Sequence, residues 1–197
     1  MIACGIALVL LIDASGSISA DNYRLQRDST ADALTSAPVI SASRDGLAIS
    51  AIMFGSSQHT VMPWRVLRGA DDARQARDAL RQVERPEAGT TDMASALRAG
   101  YAELRAIPCE AERRIIDISG DGRHSGSDVH VRAAVAEVAG CGVEVNALAL
   151  VTPMEPDIAD WFRANVTGPA GGFTMEATAE TFARAIRAKL AMETAAR

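Results

Sequence analysis

Lysine is all but missing from this 197-residue chain: of 20 basic residues only Lys189 is a lysine, and the rest are arginine. We read this as the compositional bias of a GC-rich genome, without bearing on function. Aromatic residues make up just 4%. Positive charge is in deficit, with 25 carboxylates against 20 basic groups and a formal charge of −5. Such a chain lacks the electrostatic footprint of non-specific nucleic-acid or anionic-membrane binding, so nucleic acid is not an expected partner. No apolar run approaches the roughly 18 to 20 residues that a membrane span requires, since the longest, Ile6 to Ile12, stops at Asp13. No transmembrane segment is expected. Met1 to Gly5 offers no basic region leading into a signal sequence, although a start this close to a strand is compatible with an export signal already removed. Cysteine is scarce too. Cys4, Cys109 and Cys141 fit neither a zinc site nor a redox pair by spacing.

What is present is hydrophobic and periodic. At 48% hydrophobic the chain has ample side chains to bury, which excludes disorder and suits one domain over residues 1–197. Apolar runs alternate with helical stretches, the pattern of a parallel α/β sheet. Strands are expected at Ile6–Ile12, Gly46–Phe54, Gln58–Arg65, Arg113–Ser119, Val143–Val151 and Gly172–Met175. Helices are expected at Ala20–Thr35 with Ser19 as its cap, at Asp71–Val83, Asp92–Ile107, Asp128–Ala139 and Thr178–Thr194, with a short one before Asn165. Glu84 to Thr91 is expected to be a loop, and the first helix to end before Pro38. The turn Gly55-Ser56-Ser57 has no room for a crossover helix, so the third strand must run antiparallel at a sheet edge, where Pro63 is tolerated. The expected architecture is a three-layer, doubly wound, Rossmann-like α/β fold with six strands, whose order the patterning alone leaves open.

In such sheets, sites form where loops leave the carboxyl ends of strands. Three of these loops carry oxygen side chains and little else: Asp13-Ala14-Ser15-Gly16-Ser17, Gly89-Thr90-Thr91-Asp92 and Ser119-Gly120-Asp121-Gly122. Converging hydroxyls and carboxylates suit a hard divalent cation, Mg²⁺ or Mn²⁺, that keeps an open position. Two carboxylates with three neutral hydroxyls leave such an ion incompletely neutralised, so that a carboxylate from outside could complete its shell.

At these residues the chain resembles the von Willebrand factor type A domain, also called the integrin I domain. DASGS matches that family's DxSxS motif, Gly89-x-Thr91 precedes a helix onset, and Asp121-Gly122 ends an apolar strand. The resemblance spans essentially the whole chain and implies the strand order 3-2-1-4-5-6, with the third strand antiparallel, and a metal-ion-dependent adhesion site. Its residues would be Asp13, Ser15, Ser17, Thr91 and Asp121, with Thr90 as the rival of Thr91, holding Mg²⁺ (or Mn²⁺ or Ca²⁺). The implied partner is a protein offering a carboxylate, and the implied module is not an enzyme. Reading DISGDG, the fourth-strand loop departs from the commoner hydrophobic-Thr-Asp-Gly form. With CGIALVLLIDASGS it is similar to a bacterial family of von Willebrand-like proteins, many of them exported, which favours a periplasmic or secreted location over a cytoplasmic one.

Other readings remain. Asp13 and Asp121 around Mg²⁺ could serve a phosphohydrolase. Asp13 as a phosphoryl acceptor lacks a second aspartate two residues on, and no G-x-S-x-G elbow supports a hydrolytic serine. His59 and His130 read as surface residues, and His124 as a solvated loop residue or a support for the site. Asp117 should be buried with partners that order local structure. Met53, Met62, Met93 and Met154 read as core or loop filler, and Asp71-Asp72 as a helix cap. Asn165-Val166-Thr167 is a chance match to a glycosylation acceptor. Cys109 and Cys141 each precede a strand, which leaves open a disulfide between them or two reduced, buried thiols. Cys4 has no evident partner.

Overall fold

In the computed structural model, residues 2–86 and 89–195 are described. Glu87 and Ala88, inside the loop expected over Glu84–Thr91, lie outside them, as do Met1 and the last two residues. The strands are β1 (Ile2–Asp13), β2 (Leu47–Phe54), β3 (Gln58–Leu67), β4 (Cys109–Gly120), β5 (Glu144–Leu150) and β6 (Thr174–Ala177). They form one sheet in the order β3-β2-β1-β4-β5-β6, parallel throughout except for β3, as expected. The helices are α1 (Ala20–Ala33), α2 (Ala37–Ser43), α3 (Ala70–Arg81), α4 (Met93–Arg105), α5 (Asp128–Gly140), α6 (Ile158–Phe162) and α7 (Phe182–Thr194). None is long and apolar enough to cross a membrane, among the described residues.

β1 is apolar at consecutive positions because both of its faces are covered. Ile6, Leu8, Leu10 and Ile12 pack into the layer of α1, α3 and α7, while Ala7, Val9 and Leu11 pack into that of α4, α5 and α6. Ser19 caps α1 by accepting from the Asn22 amide at 3.1 Å. Pro38 does not merely follow the first helix. It stands at the start of α2, where a missing N–H costs nothing, and so opens a helix that periodicity alone does not reveal. β6 begins two residues later than expected, because Gly172 is pressed against the Val145 carbonyl, where a Cβ would lie 1.9 Å from the oxygen.

β1 and β4 also extend further at their amino ends than their apolar cores suggest, and this changes the cysteine pairing. Within β1, Cys4 pairs in register with Ala111, and Ile2 with Cys109. The disulfide joins Cys4 to Cys109, with Cα atoms 6.0 Å apart, and not Cys109 to Cys141. Cys141 caps the end of α5 as an exposed free thiol, its carbonyl accepting from Arg114 at 2.6 Å.

The lone lysine is the second departure. Lys189 is completely buried under α7, its Nζ 2.5 Å from Asp117 of β4 and 2.6 Å from Glu193 one helical turn on. Asn146 of β5 donates to the same Glu193 oxygen at 3.0 Å. One cation thus serves two buried carboxylates. Among the described residues, neither Asp117 oxygen is aligned as a hydrogen-bond acceptor and Glu193 Oε2 has no hydrogen-bond partner. Burial, followed by the proximity of Asp117, pushes the Glu193 carboxyl up to about 8. Asp117 is therefore an anchor for α7, a more specific role than local ordering.

Removing one member of a buried charge cluster leaves the others uncompensated. Lys189→Met is expected to lower unfolding free energy in denaturant by roughly 3–5 kcal/mol, and adding Asp117→Leu and Glu193→Leu to recover most of that loss. Without reductant, thiol alkylation followed by mass spectrometry should label Cys141 alone; Cys4→Ser with Cys109→Ser should cost about 2–4 kcal/mol of stability.

Candidate metal centre

The central strand delivers Asp13 as its last residue, level with Phe54 of β2 on one side, while Ile12 is level with Ser119 of β4 on the other. The chain then turns sharply. Asp13 Oδ1 accepts from the Ser15 amide at 2.8 Å, the Ala14 amide donates to the Phe54 carbonyl at 2.8 Å, and the Gly16 amide donates to the Gly89 carbonyl at 2.7 Å. These bonds tie the loop after β1 to the ends of its neighbours.

The three oxygen-bearing loops do converge. Thr91 Oγ1 donates to Ser15 Oγ at 3.0 Å, Ser15 Oγ and Ser17 Oγ are 3.1 Å apart, and Ser17 Oγ donates to Asp121 Oδ1 at 3.1 Å. Asp13 and Ser15 are fully buried, Thr91 and Asp121 nearly so, and Ser17 is exposed. Of the two threonines Thr91 faces this row and Thr90 is exposed. A cavity of about 550 Å³ opens to solvent above Ser17, Thr91 and Asp121.

The loop after β4 grips Thr91 by its backbone. Ser125 Oγ accepts from the Thr91 amide at 2.8 Å, while the Thr91 carbonyl accepts from the Ser125 amide at 2.9 Å and lies 3.0 Å from His124 Nδ1. His124 is consequently no solvated loop residue: its side chain is 8% exposed and supports the site from behind. His59 and His130 are exposed, as expected. Asn165 is buried and bonded to Arg132 and the Trp161 carbonyl, a position closed to glycosylation.

Arg85 is a member of this region that motif reading misses. Its guanidinium donates to the carbonyls of Ala14 (3.2 Å) and Ser15 (2.5 Å) and stacks over the Tyr23 ring at 5.5 Å. Nothing distinguishes it in sequence from the other arginines; its role comes from the path of the chain after α3.

The electrostatics are unbalanced at one atom. Asp13 Oδ2 is buried without a hydrogen-bond partner among the described residues, an expensive state for an ionised oxygen. Burial pushes the Asp13 carboxyl up to about 7, against the lowering effect of its bonds to Ser15. Asp121 is raised as well, chiefly by burial. Among the described residues there is no group of three or more His, Cys, Asp or Glu that could cage a metal. Here two carboxylates stand with three hydroxyls, so the donors are hard oxygens and mostly neutral. The orphaned Asp13 oxygen and the adjoining hydroxyls fit a small, oxygen-preferring divalent cation.

The chain matches, over residues 3–197, the family described as protein of unknown function (DUF1194). No curated protein matches it. Among solved structures it is similar to proximal thread matrix protein 1 of the mussel byssus with a zinc-occupied MIDAS motif (17% identity, TM-score 0.69, 98% of this chain and 46% of that one). It is also similar to the pilus adhesin SpaC of Lactobacillus rhamnosus GG (15% identity, TM-score 0.74, 98% and 31%) and to a von Willebrand factor type A protein of Catenulispora acidiphila (14%, 0.68, 98% and 43%). The chain spans less than half the length of each of these three. At these identities the likeness establishes a shared fold.

Because the folded chain holds the Asp13 proton up to about 7 and an unfolded chain releases it near 3.8, the contribution of Asp13 to cation-free stability is greatest at low pH. It should fall as pH rises through that window; Glu193, also raised, extends the fall to about 8. A cation taking the place of the Asp13 proton reverses only the first part. Thermal unfolding with and without millimolar Mg²⁺ should therefore show a gain in Tm that is small below, and large above, a pH of about 7, and that disappears in Asp13→Asn.

Proposed function

We propose, because the chain belongs to the DUF1194 family and has the von Willebrand factor type A fold, that it is a divalent-cation-dependent protein-binding module. The ion, Mg²⁺ or alternatively Mn²⁺ or Ca²⁺, would be held by Asp13, Ser15, Ser17, Thr91 and Asp121. When bound it supplies a positive charge with an open position that attracts a carboxylate of a protein partner. The protein's part is to hold three hydroxyls in one row, to keep Asp13 dry beneath them, and to leave Ser17 and Asp121 open to the cavity. The observation that carries the reading is the unpartnered Asp13 oxygen buried under that row. The zinc-occupied motif of the byssus protein and the adhesive role of the pilus protein, both on the same fold, support it.

A hydrolytic use of Asp13 and Asp121 finds less support. His124 is engaged by the Thr91 carbonyl, and the hydroxyls bond to one another and to Asp121, with no base bonded to them, among the described residues, other than the Asp121 carboxylate. We place the protein outside the cytoplasm, because a disulfide between Cys4 and Cys109 persists in oxidising compartments.

Calorimetric titration with Mg²⁺, Mn²⁺ and Ca²⁺ tests the proposal. Saturable binding is expected in the wild type and a loss of about tenfold or more in Asp13→Ala and in Ser15→Ala, with circular dichroism unchanged. Unaltered binding in both variants would remove the site assignment. A phosphatase turnover abolished by Asp13→Asn would replace the binding module with an enzyme.

A further inference from the structure

The cavity above Thr91 and Asp121 has two unlike walls. Ser17, Ser19 and Asn22, from the start of α1, make one of them wholly polar. The other is the turn after β5, held upright by Arg123: its Nε donates to Glu155 at 3.0 Å and its Nη2 to Asp157 at 2.8 Å. The Glu155 amide closes the turn on Thr152 through its carbonyl (3.1 Å) and its hydroxyl (3.3 Å). One guanidinium on this wall is thus shared between two carboxylates. What the turn offers outward is Met154, 89% exposed and the most exposed of the large apolar side chains among the described residues.

Isolated exposed apolar residues are ordinary on protein surfaces. This one stands on the rim of the cavity whose floor is the candidate cation site, and methionine is a side chain that adapts to the shape of what it meets. A carboxylate drawn to the floor brings its own neighbours against the two walls. One meets hydroxyls and an amide, the other a thioether. From this asymmetry we infer that the Arg123-braced turn selects the partner: an extended protein segment whose acidic residue has an apolar neighbour on one side only, seated on Met154. A cavity of about 550 Å³ accommodates a few side chains of such a segment. The inference rests on the cation-dependent reading of the floor.

Synthetic peptides with a central aspartate in a Gly-Ser background, carrying leucine on one side, on both or on neither, provide the test by NMR titration in Mg²⁺ and in EDTA. Leucine on one side should tighten binding about tenfold over the leucine-free peptide, and a second leucine should add nothing. Met154→Ser should bring that ratio to near one without changing the affinity for the leucine-free peptide, and Arg123→Ala should also lower the ratio by releasing the turn. If leucine has no effect in the wild type, or the ratio survives in Met154→Ser, the selection by this turn is refuted while Mg²⁺-dependent binding of the aspartate still stands. If no peptide binds in Mg²⁺, or EDTA makes no difference, the cation-dependent reading fails and the inference with it.

Discussion

Ile12 lies opposite Ser119 in the central parallel pair of strands, and the site depends on that register. It sets the loop carrying Ser15 and Ser17 beside the loop carrying Asp121. β2 leaves β1 on the other side, so the sheet's connections diverge around β1 and open the crevice that doubly wound folds use for ligands. Thr91 arrives from the loop before α4 and is held there by Ser125 and His124, so even the residue from the third loop is referred back to β4. At the far end of the same pair the Cys4–Cys109 bond joins the two strands covalently. The register is thus held at both extremities, by a covalent link below and interlocked loops above.

Two sets of buried charge sit on this sheet, and the chain treats them differently. Around Lys189 the opposing charge is supplied from within by Asp117, while Glu193 keeps its proton up to about 8, and the cluster fastens α7 to β4 and, through Asn146, to β5. Around Asp13 no internal cation, among the described residues, completes the arrangement. Arg85 lies nearby, but it donates to the Ala14 and Ser15 carbonyls rather than to the carboxylate. A cluster that is internally compensated can specify packing; one left short of positive charge can respond to an ion from outside. That contrast separates a structural polar core from a binding site more sharply than the residue types alone.

Much of this was legible in sequence because it rests on short-range patterns. The buried strands, the antiparallel edge at Gln58 and the three oxygen-rich loops follow from apolar runs and turn residues, while the strand order came with the resemblance to the von Willebrand factor type A domain. The site residues lie on those loops, so they too could be read. What sequence hid were relations between distant atoms. The partner of Cys109 turned on how far β1 and β4 extend below their apolar cores, which hydrophobicity does not mark. Lys189 looked like an accident of composition because burial of a lone charge can be recognised only when its partners, on another helical turn and in two strands, are known. The grip of Arg85 and His124 on backbone carbonyls leaves no motif at all.

Gly120 stands where the related loops commonly carry threonine, and a Cβ placed there would lie 2.7 Å from Asp13 Oδ2. The carboxylate of the first strand occupies space that a side chain on the fourth strand would otherwise fill. Neither position is therefore free to drift alone: a larger residue at 120 is tolerated only if Asp13 has already turned away, and Asp13 keeps its present rotamer only while 120 stays bare. The two positions are thus sterically coupled: a side chain at 120 obliges the Asp13 carboxylate to move.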